Sequence, residues 1–351
     1  MKFVRRTILF IILFYVISQL FFSFVFPTSY VYNDRLNYDV FKDNVYTIEP
    51  AVKAIKATID REKLQNYIIL IGDSVCYGTP CPPDKTMSSY MNDIARREKS
   101  NIRVFNVGIP STMFGDFYTV IKLLNSYDIS TQNLILNFSC WEINAKTPTY
   151  WFRHYLKELD GESYKKMLEM GYIKEKSTWQ NIKSQIYHIA NKNVAMIGYS
   201  GFVTNKIKTE ANTLLGQPVT ELKVWSQKRQ KLDKALNLPE NRWYYTDKKY
   251  NLEENSPQIY FLNKIAEVQK GKNTLYFLNA MNEGLLPEAT AKEGFQNNMA
   301  AIRKTFSNRG LNFIDYNKKV DNKYFSDHVH LLPEGYKFMA EDLWRRIIKE
   351  I

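Results

Sequence analysis

Metal-ligating side chains are scarce here: the 351 residues include three cysteines and four histidines, and they do not cluster at ligand spacing. The sequence thus gives no reason to expect a metal or a cofactor. So few cysteines leave one close pair, Cys76 and Cys81, which reads either as a small local disulfide or as two reduced thiols. Cys140 directly follows an apolar run and reads as a small buried hydrophobe. A long uncharged apolar run occurs once, at 7–26, and is rich in Phe, Ile and Leu. Acids are outnumbered as well, 36 against 48 Lys and Arg, for a net charge of +12.

Twenty helical residues rise about 30 Å, the thickness of the hydrocarbon layer, so 7–26 can cross a bilayer. A signal peptide shares the pattern of basic residues before an apolar core, yet no small-x-small cleavage site follows at 26–30. Residues 1–27 are therefore expected to be a cytoplasmic tip and a transmembrane anchor. Lys2, Arg5 and Arg6 keep the N-terminus in the cytoplasm by the positive-inside rule, which leaves the remainder extracytoplasmic. Without those three cations the balance is still 45 to 36. Outside a cell such an excess favours anionic partners, phospholipid headgroups or a teichoic-acid-like polymer. The same topology argues against a nucleic-acid function.

The stretch Tyr67-Ile-Ile-Leu-Ile-Gly-Asp-Ser-Val75 organises the rest of the chain. An apolar run closed by a glycine reads as a central parallel strand feeding a tight turn. That turn presents the Ser74 hydroxyl at the carboxyl edge of a sheet, where open α/β folds collect their ligands. A serine hydroxyl needs a base, commonly a histidine that a carboxylate orients. Near the C-terminus, Ser326-Asp327-His328-Val329-His330 supplies both, and Pro333 opens the final helix. The expected triad is Ser74, Asp327 and His330.

Gly72-Asp73-Ser74 after a strand, Asn106-Val107-Gly108 after the next, and Asp327-x-x-His330 followed by Leu-x-Pro-Glu-Gly-Tyr together resemble the SGNH (GDSL-type) hydrolases. The resemblance covers roughly 64–140 and 270–350 and skips the middle. It implies that Ser74 is the nucleophile, that His330 with Asp327 is the base, and that the backbone N–H groups of Ser74 and Gly108 line an oxyanion hole. That family also places an Asn in a strand-Gly-x-Asn-Asp pattern. Here Ser139 stands at the Gly and Trp141-Glu142 at the Asn-Asp. Asn137 and Asn144 lie close by out of register, and Asn137 is the candidate third donor.

Apolar spacing predicts helices at 86–98, 113–127 and 291–308 and strands at 67–71, 103–106, 133–137, 273–278 and 311–314. The alternation implies a doubly wound, flavodoxin-like parallel sheet of about five strands flanked by helices. Residues 28–63 read as a juxtamembrane stalk ending in a helical stretch. The sheet domain occupies 64–144 and 263–351. Between them, 145–262 reads as a mostly helical insertion, with Trp179, Trp225 and Trp243 among many lysines. Most of those aromatics suit the insertion's own core, and His154 and His188 fall in helical patterns as structural residues.

The expected activity is that of a membrane-anchored serine enzyme acting on ester-linked acyl groups of cell-envelope polysaccharide. The acyl-enzyme passes either to water, as in an esterase, lipase or thioesterase, or to a sugar hydroxyl, as in an O-acyltransferase. The family resemblance brings in a multi-spanning membrane acyltransferase as partner. A catalytically weak scaffold that binds glycan or such a partner is the non-enzymatic alternative.

Overall fold

The Tyr67-Ile-Ile-Leu-Ile71 run forms strand β1 (Tyr67–Ile71), buried along its whole length. The computed structural model describes residues 2–174, 178–216, 244–285 and 287–351. Four further strands, β2 (Arg103–Asn106), β3 (Asn133–Phe138), β4 (Asn273–Leu278) and β5 (Phe313–Asp315), join β1 in one parallel sheet ordered β2-β1-β3-β4-β5. Ile68 lies opposite Val104 and Leu70 opposite Ile135. The order reverses between β1 and β3, so a crevice opens beyond their carboxyl ends. The expected five-stranded doubly wound fold is what the chain adopts.

Strands buried on both faces need helices on both sides. Ile68, Leu70, Val104 and Phe277 pack against Met91 of helix α1 (Met87–Arg97) and Met339 and Leu343 of the terminal helix (Pro333–Ile347). On the opposite face Phe138 meets Phe114 of helix α2 (Phe114–Ser126) at 5.1 Å. It also stacks on Phe306 of the helix Glu293–Asn308 at 5.1 Å. Helix α3 (Pro257–Val268) lies against α2. Burying an Ile, Leu or Phe side chain contributes about 1.5–3 kcal/mol, which holds these layers together. Gly310 follows the helix Glu293–Asn308 at φ +62°, the left-handed position that glycine favours after a helix end.

The chain divides into two compact units, Met1–Arg61 with Glu175–Val219, and Glu62–Lys174 with Thr220–Ile351. The expected insertion is therefore not one body: its first part, with helices Arg153–Leu159 and Gly161–Glu169, belongs to the sheet unit. Trp225 and Trp243 lie outside the described residues.

In the first unit the helix Lys2–Leu20 runs on as a π-helical turn, Phe21–Val25. Among the described residues it is the one helix long and apolar enough to cross a membrane. The presumed stalk is folded, with Val31, Val40, Phe41, Ile48, Val52 and Ile55 buried. Helices Thr178–Asn193 and Ala195–Leu214 complete this unit.

Candidate active site

At the end of β1 the chain must turn sharply, and Gly72 is why it can. A Cβ there would lie 1.4 Å from the Asn137 side-chain oxygen. Asp73 then caps the single helical turn Ser74–Tyr77, its Oδ1 accepting the Val75 N–H at 2.8 Å. The same carboxylate accepts from Asn137 Nδ2 at 2.9 Å, Ser139 Oγ at 2.6 Å and Asn279 Nδ2 at 2.7 Å. Donors from the ends of β3 and β4 thus lock the turn that carries Ser74 at the first position of its helix.

Glu142 joins this buried network. Its Oε2 accepts the Ser139 N–H at 2.8 Å. Burial, and then the Asp73 charge, push its carboxyl well above the usual range.

The Asp327 loop shapes itself in the same manner. Asp327 Oδ1 accepts the N–H groups of Val329 at 2.9 Å and His330 at 2.7 Å, a side-chain-to-backbone turn. Its Oδ2 is then 2.6 Å from His330 Nδ1, while His330 Nε2 stands 2.8 Å from Ser74 Oγ. The structure brings all three expected residues into one hydrogen-bonded chain. Burial disfavours the imidazolium of His330, but the charge and hydrogen bond of Asp327 outweigh it and raise its pKa above the usual 6.5. For Asp327, burial is likewise overcome by His330, and its carboxyl sits well below the carboxylate range.

The motif contains a second histidine. Burial drives the pKa of His328 down to about 4. Its ring lies 5.0 Å from that of Tyr244 and 5.7 Å from that of Trp141, so it packs as a neutral aromatic.

Two expected oxyanion donors are engaged elsewhere. The Gly108 N–H donates to Asn106 Oδ1 at 2.8 Å. A Cβ on Gly108 would come within 2.6 Å of both Cys76 Sγ and the Tyr77 nitrogen, so this glycine serves close packing against the serine turn. Asn137 is fully buried, and its amide nitrogen donates to Asp73 and, at 2.6 Å, to Asn279 Oδ1. Asn137 is a brace under the turn, and its amide N–H groups are taken by Asp73 and Asn279, which corrects the expectation that it is the third oxyanion donor. The Ser74 N–H, at the first position of its helical turn, has no partner within the helix. Cys76 and Cys81 are free thiols, with Cys76 against Asn106 and Cys81 against the Leu331 carbonyl.

No family model and no curated protein matches the chain. Similar solved structures include a protein assigned to the lipolytic G-D-S-L family from Desulfitobacterium hafniense DCB-2, at 12% identity and a TM-score of 0.36. It is aligned over 80% of this chain and 99% of that one. A gut microbial diltiazem-metabolizing enzyme is similar at 11% identity and 0.36, over 80% and 46%. An alpha/beta hydrolase enzyme from the metagenome of Lake Arreo, Spain, is similar at 9% and 0.36, over 81% and 95%.

A groove of about 1730 Å³ is lined by Trp141, Tyr150, Tyr172, Tyr245, Lys146 and Lys248, among others. Tyr245 ties it to the His loop, its hydroxyl donating to the His328 carbonyl at 3.3 Å. Asp116 shapes one wall by accepting the N–H groups of Tyr150, Trp151 and Phe152 at 2.8, 3.1 and 2.9 Å. Sequence reasoning missed Asn279, Glu142 and Asp116. An Asn directly after a buried strand was the available signal for the first; the other two are defined by partners that only the fold supplies.

Proposed function

We propose that the protein is a membrane-anchored serine enzyme of the SGNH type that cleaves ester-linked acyl groups and passes them to water or to a sugar hydroxyl. The observation that carries this is the unbroken chain Ser74 Oγ, His330 and Asp327, at 2.8 and 2.6 Å. Ser74 Oγ attacks the ester carbonyl while His330 Nε2 takes its proton. Asp327 fixes the tautomer that leaves Nε2 free to accept and stabilises the imidazolium that results. The tetrahedral oxyanion turns toward the Ser74 N–H at the start of its helical turn. His330 then returns the proton to the departing alcohol, leaving an acyl-serine. Water or an acceptor hydroxyl, deprotonated by the same imidazole, releases the acyl group.

In this reading the helix Lys2–Leu20 anchors the chain, with the N-terminus cytoplasmic and the enzyme outside. The substrate is acylated envelope polysaccharide or a teichoic-acid-like polymer, and a multi-spanning membrane acyltransferase supplies the acyl group. The groove lined by Trp141, tyrosines and lysines supports an extended, hydroxyl-rich acceptor. The engaged Gly108 N–H and the Trp141 substitution favour a slower enzyme. One oxyanion donor is worth about 10²–10³ in kcat, and the extreme form of this is a scaffold that only binds.

A fluorophosphonate probe tests the core of the proposal and is expected to label Ser74 covalently; an unlabelled serine in the folded chain favours the scaffold. Acyl donor and oligosaccharide supplied together, with products followed by mass, then separate transfer from hydrolysis. Acylated sugar indicates a transferase, and free acid alone an esterase.

A further inference from the structure

Helix Thr178–Asn193 in the first unit is amphipathic the wrong way round. Its inward face is polar: His188 and Asn191 are each 6% exposed. The His188 ring packs at a tilt against Tyr46, 5.0 Å between centroids, and Asn191 Oδ1 accepts from Asn44 Nδ2 at 2.9 Å. Its outward face is apolar, with Trp179 73%, Ile182 42%, Ile186 63% and Ile189 58% exposed. Those four residues recur at three- and four-residue spacing, so they form one stripe. Helix Ala195–Leu214 has an apolar inward face, with Gly198 and Phe202 buried, and still leaves Ile207 and Leu214, one heptad apart, 61% and 87% exposed. Water does not select such a surface; hydrocarbon does.

The stripe ends where this unit meets its own apolar N-terminal helix. At the break between the two helices, the Asn193 carbonyl and the Ala195 N–H have lost their helical partners. Tyr15 donates its hydroxyl to Asn193 O at 3.0 Å, the Gln19 amide nitrogen donates to the same oxygen, and Gln19 Oε1 accepts from Ala195 N at 3.0 Å. The polar side chains of an otherwise apolar segment are thereby paired with exposed backbone groups. A bilayer demands such pairing, because hydrocarbon offers an unsatisfied polar group no partner. Between 178 and 216 the sequence has four lysines and a single acid, Glu210, which suits anionic headgroups.

We propose that the helical hairpin 178–216 is embedded in the outer leaflet beside the N-terminal helix, its turn at 193–195 reaching down to Tyr15 and Gln19. Its Trp179–Ile189 stripe sits among the acyl chains and its polar face turns to the folded unit. The inference rests on the reading of Lys2–Leu20 as a retained anchor and is independent of the catalytic assignment.

The test uses the full chain in vesicles of phosphatidylglycerol and phosphatidylcholine. Its three native cysteines are buried, so a fluorophore can be directed to single cysteines introduced as Phe14→Cys, Ile186→Cys and Ile189→Cys. Lipids brominated in the chain are expected to quench all three labels, with aqueous iodide quenching none of them strongly. Bromolipid quenching at 14, with iodide quenching at both 186 and 189, overturns the inference. That result leaves the anchor standing and assigns the stripe to a protein partner. Absence of bromolipid quenching at 14 overturns the anchor and the inference together. Circular dichroism and the melting temperature of the same samples show that each variant is folded.

Discussion

At Ser74 the chemistry depends on one oxygen and one nitrogen 2.8 Å apart. Ser74→Ala is expected to cut turnover of an activated acetyl ester by about 10⁴–10⁶ while leaving the melting temperature near that of the parent, as read by hydrolysis rate and calorimetry. His330 works as a base only when neutral, and Asp327 raises its pKa above 6.5. The rate should therefore climb with pH through a midpoint above 6.5 and vanish on the acid side. Asp327→Asn should lower that midpoint and cost about 10⁴ in kcat; an unmoved midpoint in the pH–rate profile would reject the pairing. Glu142 gives the opposite sign in stability. Its folded pKa is raised above the usual 4.5, so the folded state holds the proton more tightly and loses stability as pH rises from that value. Glu142→Gln keeps an acceptor for the Ser139 N–H and cannot ionise. Its melting temperature is expected to fall less between pH 5 and 8 than the parent's.

The turn after β1 shows what kind of element can be read from sequence. Asn279→Ala removes a charged hydrogen bond to Asp73 and should cost about 1.5–3 kcal/mol in denaturant titration; a smaller loss would mean that the turn holds without β4. Gly72→Ala should disrupt the turn outright, since the added carbon lands on Asn137. The strands were legible because Tyr67–Ile71 and its partners are short apolar runs closed by turn residues, and the Asp327–His330 loop because its spacing closes a local turn. The Asn137 assignment failed for a different reason. A buried amide at a strand end has the same sequence signature whether it faces the pocket or the neighbouring strand, and partners 64 and 142 residues away decided it. The last strand lay two residues later than its apolar run suggested, at Phe313–Asp315, because register with β4 sets its start. The folding of 28–63 was illegible for a related cause: its apolar residues are covered in part by helices from 178–214, across a long gap in the chain.

At the scale of the whole molecule, the N-terminal helix is fastened to its own unit through Tyr15 and Gln19. The protein is accordingly expected to sediment with membranes after an alkaline carbonate wash and to keep its first residues when its N-terminus is sequenced. A soluble product beginning near residue 27 would mark the helix as a removable leader. The two halves of the triad stand 256 positions apart, one near the tether and one near the other terminus. In the proposed topology the hydroxyl therefore leaves the cell long before its imidazole, and the serine has no base until the final loop and helix arrive. A truncation that removes the last few dozen residues is accordingly expected to leave Ser74 unreactive.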